Sequence, residues 1–290
     1  MNPRLARARA SLEGLSVGDA FGERFFLEPL SARRLIAARA MPAGIWRYTD
    51  DTQLALSIYE ELLERGSIDP RSLARRFAEA YVRNPHRGYG ATAHDVLTRI
   101  ALGLDWEVVS REVHGGEGSM GNGGAMRVAP LGAYFANDLD QLLAEARDSA
   151  RPTHAHPEGQ AGAIAVAVAA AHVETHRSGG LALLEAAHRA TPDGPTREGI
   201  AAAMATDLTL SPEHAAERLG NGSRVIASDT VPFSLWCAAR HTTDFVEAMW
   251  STVSGLGDRD TTCAIVGGIV ALAAPVPPDW VRSREPLPVA

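Results

Sequence analysis

Fifty of the 290 residues are alanine, and no position is a lysine, so all 28 basic residues are arginine. Alanine has the highest intrinsic helix propensity, and no alternating run of β-branched and aromatic residues competes with it. Leu5, Leu12 and Leu15 share one face of a helix predicted from Arg4 to about Phe21. Leu54, Ile58 and Leu62 mark another from Gln53 to Arg65, stopped by Gly66. Asp69 followed by Pro70 reads as a cap with proline in the first helical position, opening a helix through Leu73, Phe77 and Tyr81. Further helices are predicted over 91–102, 138–150, 157–177, 180–190, 197–206, 212–219, 229–240, 243–253 and 260–274. The chain is therefore read as all-α, with one domain over 1–274 and a proline-rich C-terminal tail over 275–290 whose five prolines predict an extended course.

A formal net charge of -7 without a basic block argues against attachment to nucleic acid or an anionic membrane by bulk charge, and it suits binding of cations. With 46% hydrophobic and 22% charged residues the proportions are those of a globular protein. The apolar run from Ala161 to Val173 is too short for the roughly 20 residues of a membrane span and predicts a buried helix. The arginine-bearing N-terminal stretch never reaches an unbroken apolar segment, so no secretory signal is expected. Cys237 and Cys263 form neither a disulfide framework nor a CxxC zinc pattern, and a reduced, cytoplasmic setting is expected. The sequence does not fix an oligomeric state.

Four segments carry chemistry. Tyr48-Thr49-Asp50-Asp51-Thr52 precedes a helix, where a single Asp or Thr would serve as cap. Two adjacent aspartates repel each other unless a cation sits among them, and hard divalent ions take carboxylate and hydroxyl oxygens. Gly257-Asp258-Arg259-Asp260-Thr261-Thr262 repeats that chemistry before a second helix, about 200 residues on. The pair of clusters is either two capping motifs or a site for two hard ions sharing a bridging water. The glycine-rich stretch from Ser119 to Gly124 lets backbone approach a ligand, with free amide groups suited to phosphate oxygens. In Thr153-His154-Ala155-His156-Pro157-Glu158, His154 reads as a substrate contact in preference to a metal ligand.

Taken in order, GLSVGDAFGERF at 14–25, YTDDTQLALSIYEEL at 48–62, SMGNGGAMRVAPLG at 119–132, THAHPEGQAGAIAVA at 153–167, SDTVPFSLWCA at 228–238 and LGDRDTTCAIVGGIVAL at 256–272 resemble the ADP-ribosylglycohydrolase family, which includes the hydrolase that reactivates ADP-ribosylated dinitrogenase reductase. The resemblance implies an orthogonal all-α bundle and two Mg²⁺ ions, or Mn²⁺, at the base of a cleft. It assigns Thr49, Asp50 and Asp51 to one ligand cluster and Asp258, Asp260 and Thr261 to the other. Ser119, Met120, Gly121, Asn122, Gly123 and Gly124 would hold the diphosphate and ribose of ADP-ribose, with His154 along that ribose. The implied reaction is hydrolysis at the anomeric carbon of an N- or O-linked ADP-ribosyl group on a protein, nucleobase or small molecule, with Asp51, Asp258 and Asp260 taking part.

Three departures stand out. The family's flap glutamate commonly lies seven residues beyond the aspartate of Gly-Asp-Ala, where this chain has Phe26; Glu23 is the preferred replacement and Glu28 the other candidate. Leu256 occupies a position where glycine is usual, and Arg259 separates two proposed ligands, so it must point away from them or contact substrate. The missing glutamate leaves open a catalytically weak or inactive ADP-ribose-binding protein of the same fold. His94-Asp95 raises a His-Asp metal phosphohydrolase, which would leave both aspartate clusters unexplained.

Overall fold

Three glycines spaced by four residues put one face of the first helix, α1 (Pro3–Glu23), against the backbone of a helix 237 to 253 positions later in the chain. A Cβ added at Gly14, Gly18 or Gly22 would stand 2.3, 2.1 or 2.2 Å from the carbonyl oxygens of Gly267, Cys263 and Arg259. Only a bare backbone allows the two helices so near each other, and this contact carries Asp19 of α1 to the start of the later helix.

The computed structural model describes residues 2–288, which form 17 helices and no strand. After α1 come α2 (Pro29–Ala37), α3 (Asp50–Arg65), α4 (Pro70–Arg83), α5 (Ala91–Ala101) and α6 (Trp106–Gly116). Two short helices, α7 (Gly123–Met126) and α8 (Ala129–Tyr134), lead to α9 (Leu139–Ala150) and the long α10 (Pro157–His176). The second half holds α11 (Leu181–Ala190), α12 (Pro195–Met204), α13 (Pro212–Leu219), α14 (Ala227–Arg240), α15 (Phe245–Ser254), α16 (Arg259–Val270) and α17 (Pro278–Ser283). No helix among the described residues is long and apolar enough to cross a membrane. The apolar run from Ala161 lies in α10, which packs against α7, α8, α9, α11, α14 and α16 and is buried along nearly its whole length. Its alanines are small enough for so many neighbours to reach its axis.

The clusters lie further inside their helices than the spacing predicts. Helix α3 begins at Asp50, with Thr49 as N-cap accepting from the Asp51 amide at 3.3 Å, so both aspartates occupy the first turn. In α16, Asp258 is the cap residue and Asp260 and Thr261 open the helix. Carboxylates there face the positive end of the helix dipole.

The C-terminal segment is not extended as its prolines predict. Pro277 and Pro278 start α17, since proline's fixed φ suits a first helical turn. Trp280, 6% exposed, stacks on Phe21 with ring centroids 4.7 Å apart and meets Trp46 edge-on. Around Trp46 the backbone is tied to the same segment, Trp46 N donating to Ser283 O at 2.7 Å and Glu285 N to Trp46 O at 2.9 Å. Burial of two tryptophans overrides the local preference. The periodicity reading also omits α2, α6, α7, α8 and α17, all of 11 residues or fewer.

Candidate active site

Asp19 is the hinge of the site and has no role assigned by the sequence motifs. Fully buried on α1, it accepts from the Thr49 amide (3.0 Å), the Thr49 hydroxyl (2.9 Å), the Thr52 amide (3.1 Å) and the Thr52 hydroxyl. It therefore caps α3 from a different helix and fixes where Asp50 and Asp51 point. Burial lifts its carboxyl from 3.8 to about 6 despite those four donors. The Gly18-Asp19-Ala20 segment is the sequence signal for this residue.

The two aspartate clusters meet. The Thr261 hydroxyl donates to Asp51 Oδ1 at 3.3 Å across 210 residues of sequence, and carboxylate oxygens of Asp19, Asp51 and Asp260 lie within 4.8 Å of one another. Asp51 is 1% exposed, and its Oδ2 has no hydrogen-bond partner among the described residues. Desolvation first and Asp260 next hold its carboxyl well above the ordinary range; for Asp260, desolvation is followed by Asp258. Asp258 is oriented by Asn122, whose Nδ2 donates to its Oδ2 at 2.7 Å and to the Thr230 hydroxyl at 3.0 Å. A buried, unpartnered carboxylate oxygen among like charges is the chemistry of a hard-cation site, so the donor set fits a divalent ion. Thr49, assigned to the same set, has its hydroxyl hydrogen engaged by Asp19 and keeps a lone pair.

The α16 end of the site is built on a tight connection. Leu256, where glycine was expected, adopts φ +57°, and Gly257 follows at +61°. The usual glycine is thus explained by a left-handed backbone that Leu256 here adopts at a cost of about 1–2 kcal/mol. The segment 221–224, absent from the sequence reading, braces this turn: Asn221 O accepts from the Asp258 amide at 3.0 Å and Asn221 Nδ2 donates to Gly255 O at 2.9 Å. Arg259 forms no ion pair with a carboxylate among the described residues; its guanidinium lies 5.0 Å from the centre of the Phe26 ring, within the field of Asp260.

A cleft of about 710 Å³ opens over this floor, a size ordinary for small-molecule sites. Asp50, Asp51, Asp258, Asp260 and Thr261 line its acidic end, and Ala91, Val96 and Leu97 of α5 with Met126 form an apolar wall. Ser119 to Gly123 and His154 line it too, whereas Gly124 lies behind, packed near Gly159 and Ala150. Two loop amides expected to be free are engaged: Gly121 N donates to Ser119 Oγ at 3.1 Å and Asn122 N to Val225 O at 3.2 Å. Arg224 stands at the cleft beside Val225, its Nε held 3.2 Å from Asp229 Oδ1 and its terminal nitrogens without a protein partner among the described residues.

Glu23 lies at the exposed end of α1. Partial desolvation, then the charges of Asp19 and, against the pull of Arg24, Asp258 hold its carboxyl above the usual value. Glu28 is spent on capping α2: its carboxylate accepts from the Leu30 and Ser31 amides, both at 3.1 Å, which lowers its pKa. His156 caps α10 through Nδ1 and is not paired with His154. His94 accepts or donates at Nδ1 with the Tyr81 hydroxyl in an aromatic cluster, and Asp95 pairs with Arg99, so neither belongs to the acidic cluster.

Residues 1–287 match the family described as ADP-ribosylglycohydrolase. The chain is similar to the ADP-ribosylhydrolase ARH3 of Homo sapiens, 29% identical over 328 positions covering 97% of this chain and 90% of that one. An uncharacterized protein of Archaeoglobus fulgidus is also 29% identical, with 96% and 91% covered. Among solved structures, an ADP-ribosylglycohydrolase-related protein complex superposes with a TM-score of 0.70 at 28% identity, covering 98% of this chain and 94% of that one.

Proposed function

The chain belongs to the ADP-ribosylglycohydrolase family, and we propose that it hydrolyses the bond at the anomeric carbon of an ADP-ribosyl group and releases ADP-ribose. The observation that carries this reading is the meeting of two aspartate-rich helix starts at one end of a cleft, around an unpartnered Asp51 Oδ2. Thr49, Asp50 and Asp51 would hold one Mg²⁺ and Asp258, Asp260 and Thr261 the other, with Mn²⁺ a possible substitute. When bound, the ions supply positive charge that orients the ribose hydroxyls and polarises a water.

The protein's own groups do the rest. Asn122 holds Asp258 in place, and Asp19 sets the direction of Asp50 and Asp51 through Thr49 and Thr52. Asp51, Asp258 and Asp260 keep negative charge near a reacting carbon that becomes positive as the glycosidic bond loosens. Glu23, whose carboxyl partial burial and the charge of Asp19 hold above its usual value, is the group assigned to exchange a proton. Ser119 to Gly123 and His154 receive the ribose and diphosphate, Arg224 answers the diphosphate charge, and the apolar wall of α5 accepts the base.

The test is release of free ADP-ribose from a panel of linkages, to arginine, serine, nucleobase and acetyl acceptors, with Mg²⁺ and with chelator. Metal-dependent release from at least one linkage is expected. ADP-ribose binding without any release would instead fit the inactive-binder reading, and neither binding nor release would overturn the assignment.

A further inference from the structure

Thr153 and His154 sit in a turn fixed by the backbone, both amides donating to Ala150 O, at 3.1 and 2.9 Å. The Thr153 hydroxyl, in a residue 6% exposed, has two polar neighbours: Arg127 Nη2 at 2.8 Å and His154 Nδ1 at 2.7 Å. An arginine can only donate, so Thr153 Oγ1 accepts from Arg127. Its single O–H then needs an acceptor, and among the described residues Nδ1 of His154 is the one in reach. Nδ1 therefore carries a lone pair, and the ring proton sits on Nε2. The reverse arrangement would bring three hydrogens to one oxygen, leave the buried hydroxyl proton unbonded, and turn the positive edge of the ring toward a guanidinium.

Arg127 is itself fixed. It is buried, its Nη2 also donates to Ser149 O at 3.1 Å, and its guanidinium lies 4.2 Å from the Phe77 ring centre. Burial lowers its pKa to about 9, which still leaves it charged at neutral pH. The other titratable neighbour of His154 is His114 at the end of α6; Glu158, on its own side, is turned to the Thr196 amide and hydroxyl. Burial, then Arg127 and His114, push His154 down to about 3.

We propose that Arg127 and Thr153 are positioning residues that hold His154 as the neutral Nε2–H tautomer, so that this point of the cleft always offers a hydrogen-bond donor. A Cβ added at Gly121 or Gly123 would stand 3.1 or 3.2 Å from Nε2, so glycine at both positions keeps that nitrogen clear. Nε2 has no protein partner among the described residues. It selects a ligand oxygen that accepts, a phosphate or ribose oxygen, and disfavours a group that can only donate. This last step rests on the reading of the cleft as an ADP-ribosyl site; the tautomer does not.

The experiment is long-range ¹H–¹⁵N spectroscopy of the free, ¹⁵N-labelled protein, with the His154 signals among the ten histidines assigned by their loss in His154→Gln. A protonated Nε2 and a hydrogen-bonded, unprotonated Nδ1, both unchanged from about pH 5.5 to about 8, are expected. Thr153→Val should move the Nδ1 signal to that of an unbonded nitrogen and weaken ADP-ribose binding about tenfold, roughly 1.4 kcal/mol, while Thr153→Ser restores both. Protonated Nδ1 in the wild type, titration of His154 within that range, or an unmoved Nδ1 signal in Thr153→Val overturns the proposal. The expected tautomer in a protein that fails to bind ADP-ribose would leave the positioning roles standing and remove the substrate reading.

Discussion

Replacing Asp51 by Asn keeps the shape of the side chain and removes one charge from the most crowded part of the acidic cluster. Asp19 and Asp260 oxygens lie within 4.8 Å of Asp51, and at an effective dielectric of about 20 each such pair repels by about 3.5 kcal/mol when both are ionised. Protonation sets a ceiling. Holding a carboxyl with an unfolded pKa near 3.8 protonated at pH 7 costs about 4 kcal/mol, at about 1.4 kcal/mol per unit. The amide oxygen of Asn can still accept from Thr261, and its NH₂ would replace the unpartnered Oδ2 among carboxylate acceptors. In chelator the variant should therefore be about 1–4 kcal/mol more stable than wild type, and its melting temperature about 2–7 °C higher for a chain of 290 residues. In Mg²⁺ the order should reverse. Two ions, each at 100 times its Kd, add about 5.4 kcal/mol to the wild type, and the variant, lacking the ligand charge, should gain little and turn nothing over. Scanning calorimetry in both buffers reads this directly. A variant that melts below wild type in chelator would refute the electrostatic reasoning, because Asp51 would then be a paired structural group; equal Mg²⁺ shifts in both proteins would refute its place in the metal site.

The same burial gives the chelated wild type a pH dependence. Asp50, raised from 3.8 to about 8 by burial and then by the charge of Asp19, keeps a proton that the unfolded chain has released, so its stabilisation is present below about pH 4 and lost as pH rises through about 8. The melting temperature in chelator should fall from pH 5 to 8, and a flat profile would contradict it. Glu23→Gln should lower kcat by about 100-fold, whereas Glu28→Gln should leave kcat unchanged and remove about 1 kcal/mol of capping; equal kcat losses would show that the capping contact does not exclude Glu28 from the chemistry. Gly18→Ala gains about 1 kcal/mol of helix propensity but places a Cβ 2.1 Å from the Cys263 carbonyl oxygen. A backbone oxygen inside a helix pair cannot swing aside, so a net loss of at least about 1–3 kcal/mol is expected, with weaker Mg²⁺ binding as α1 and α16 separate. A calorimetric gain in stability would disprove the close approach.

Much of the site was legible because its residues are chemically improbable where they stand. Two adjacent aspartates beside threonines, repeated before a second helix, have few uses, and the structure brings Asp50, Asp51, Asp258, Asp260 and Thr261 to one cleft. Leu256 and Arg259 were visible as departures, and the backbone explains the first while the Phe26 contact locates the second. The brace from Asn221 and the role of Arg224 were not legible, since a short polar loop carries no periodic signal and acts only through its contact with the turn at Gly257. The tail departs from an extended course for a related reason: proline disfavours helix interiors but suits a first turn, and Trp280 meets Phe21 and Trp46 more than 230 positions away.

By itself the sequence determined that the chain is helical, that its alanine-rich run is buried, and that acidic pairs stand before two helices, because propensity, apolar period and local charge repulsion act over a few neighbouring residues. Tertiary structure decided how the parts are oriented. Asp19 reaches across to cap α3, the α1 glycines admit α16, Thr261 joins the two clusters, and Arg127 sets the proton of His154 through Thr153. The Asp19, Thr261 and Arg127 contacts each join groups 26 or more positions apart at about 3 Å, and such distances are set by packing, which no local pattern of side chains encodes.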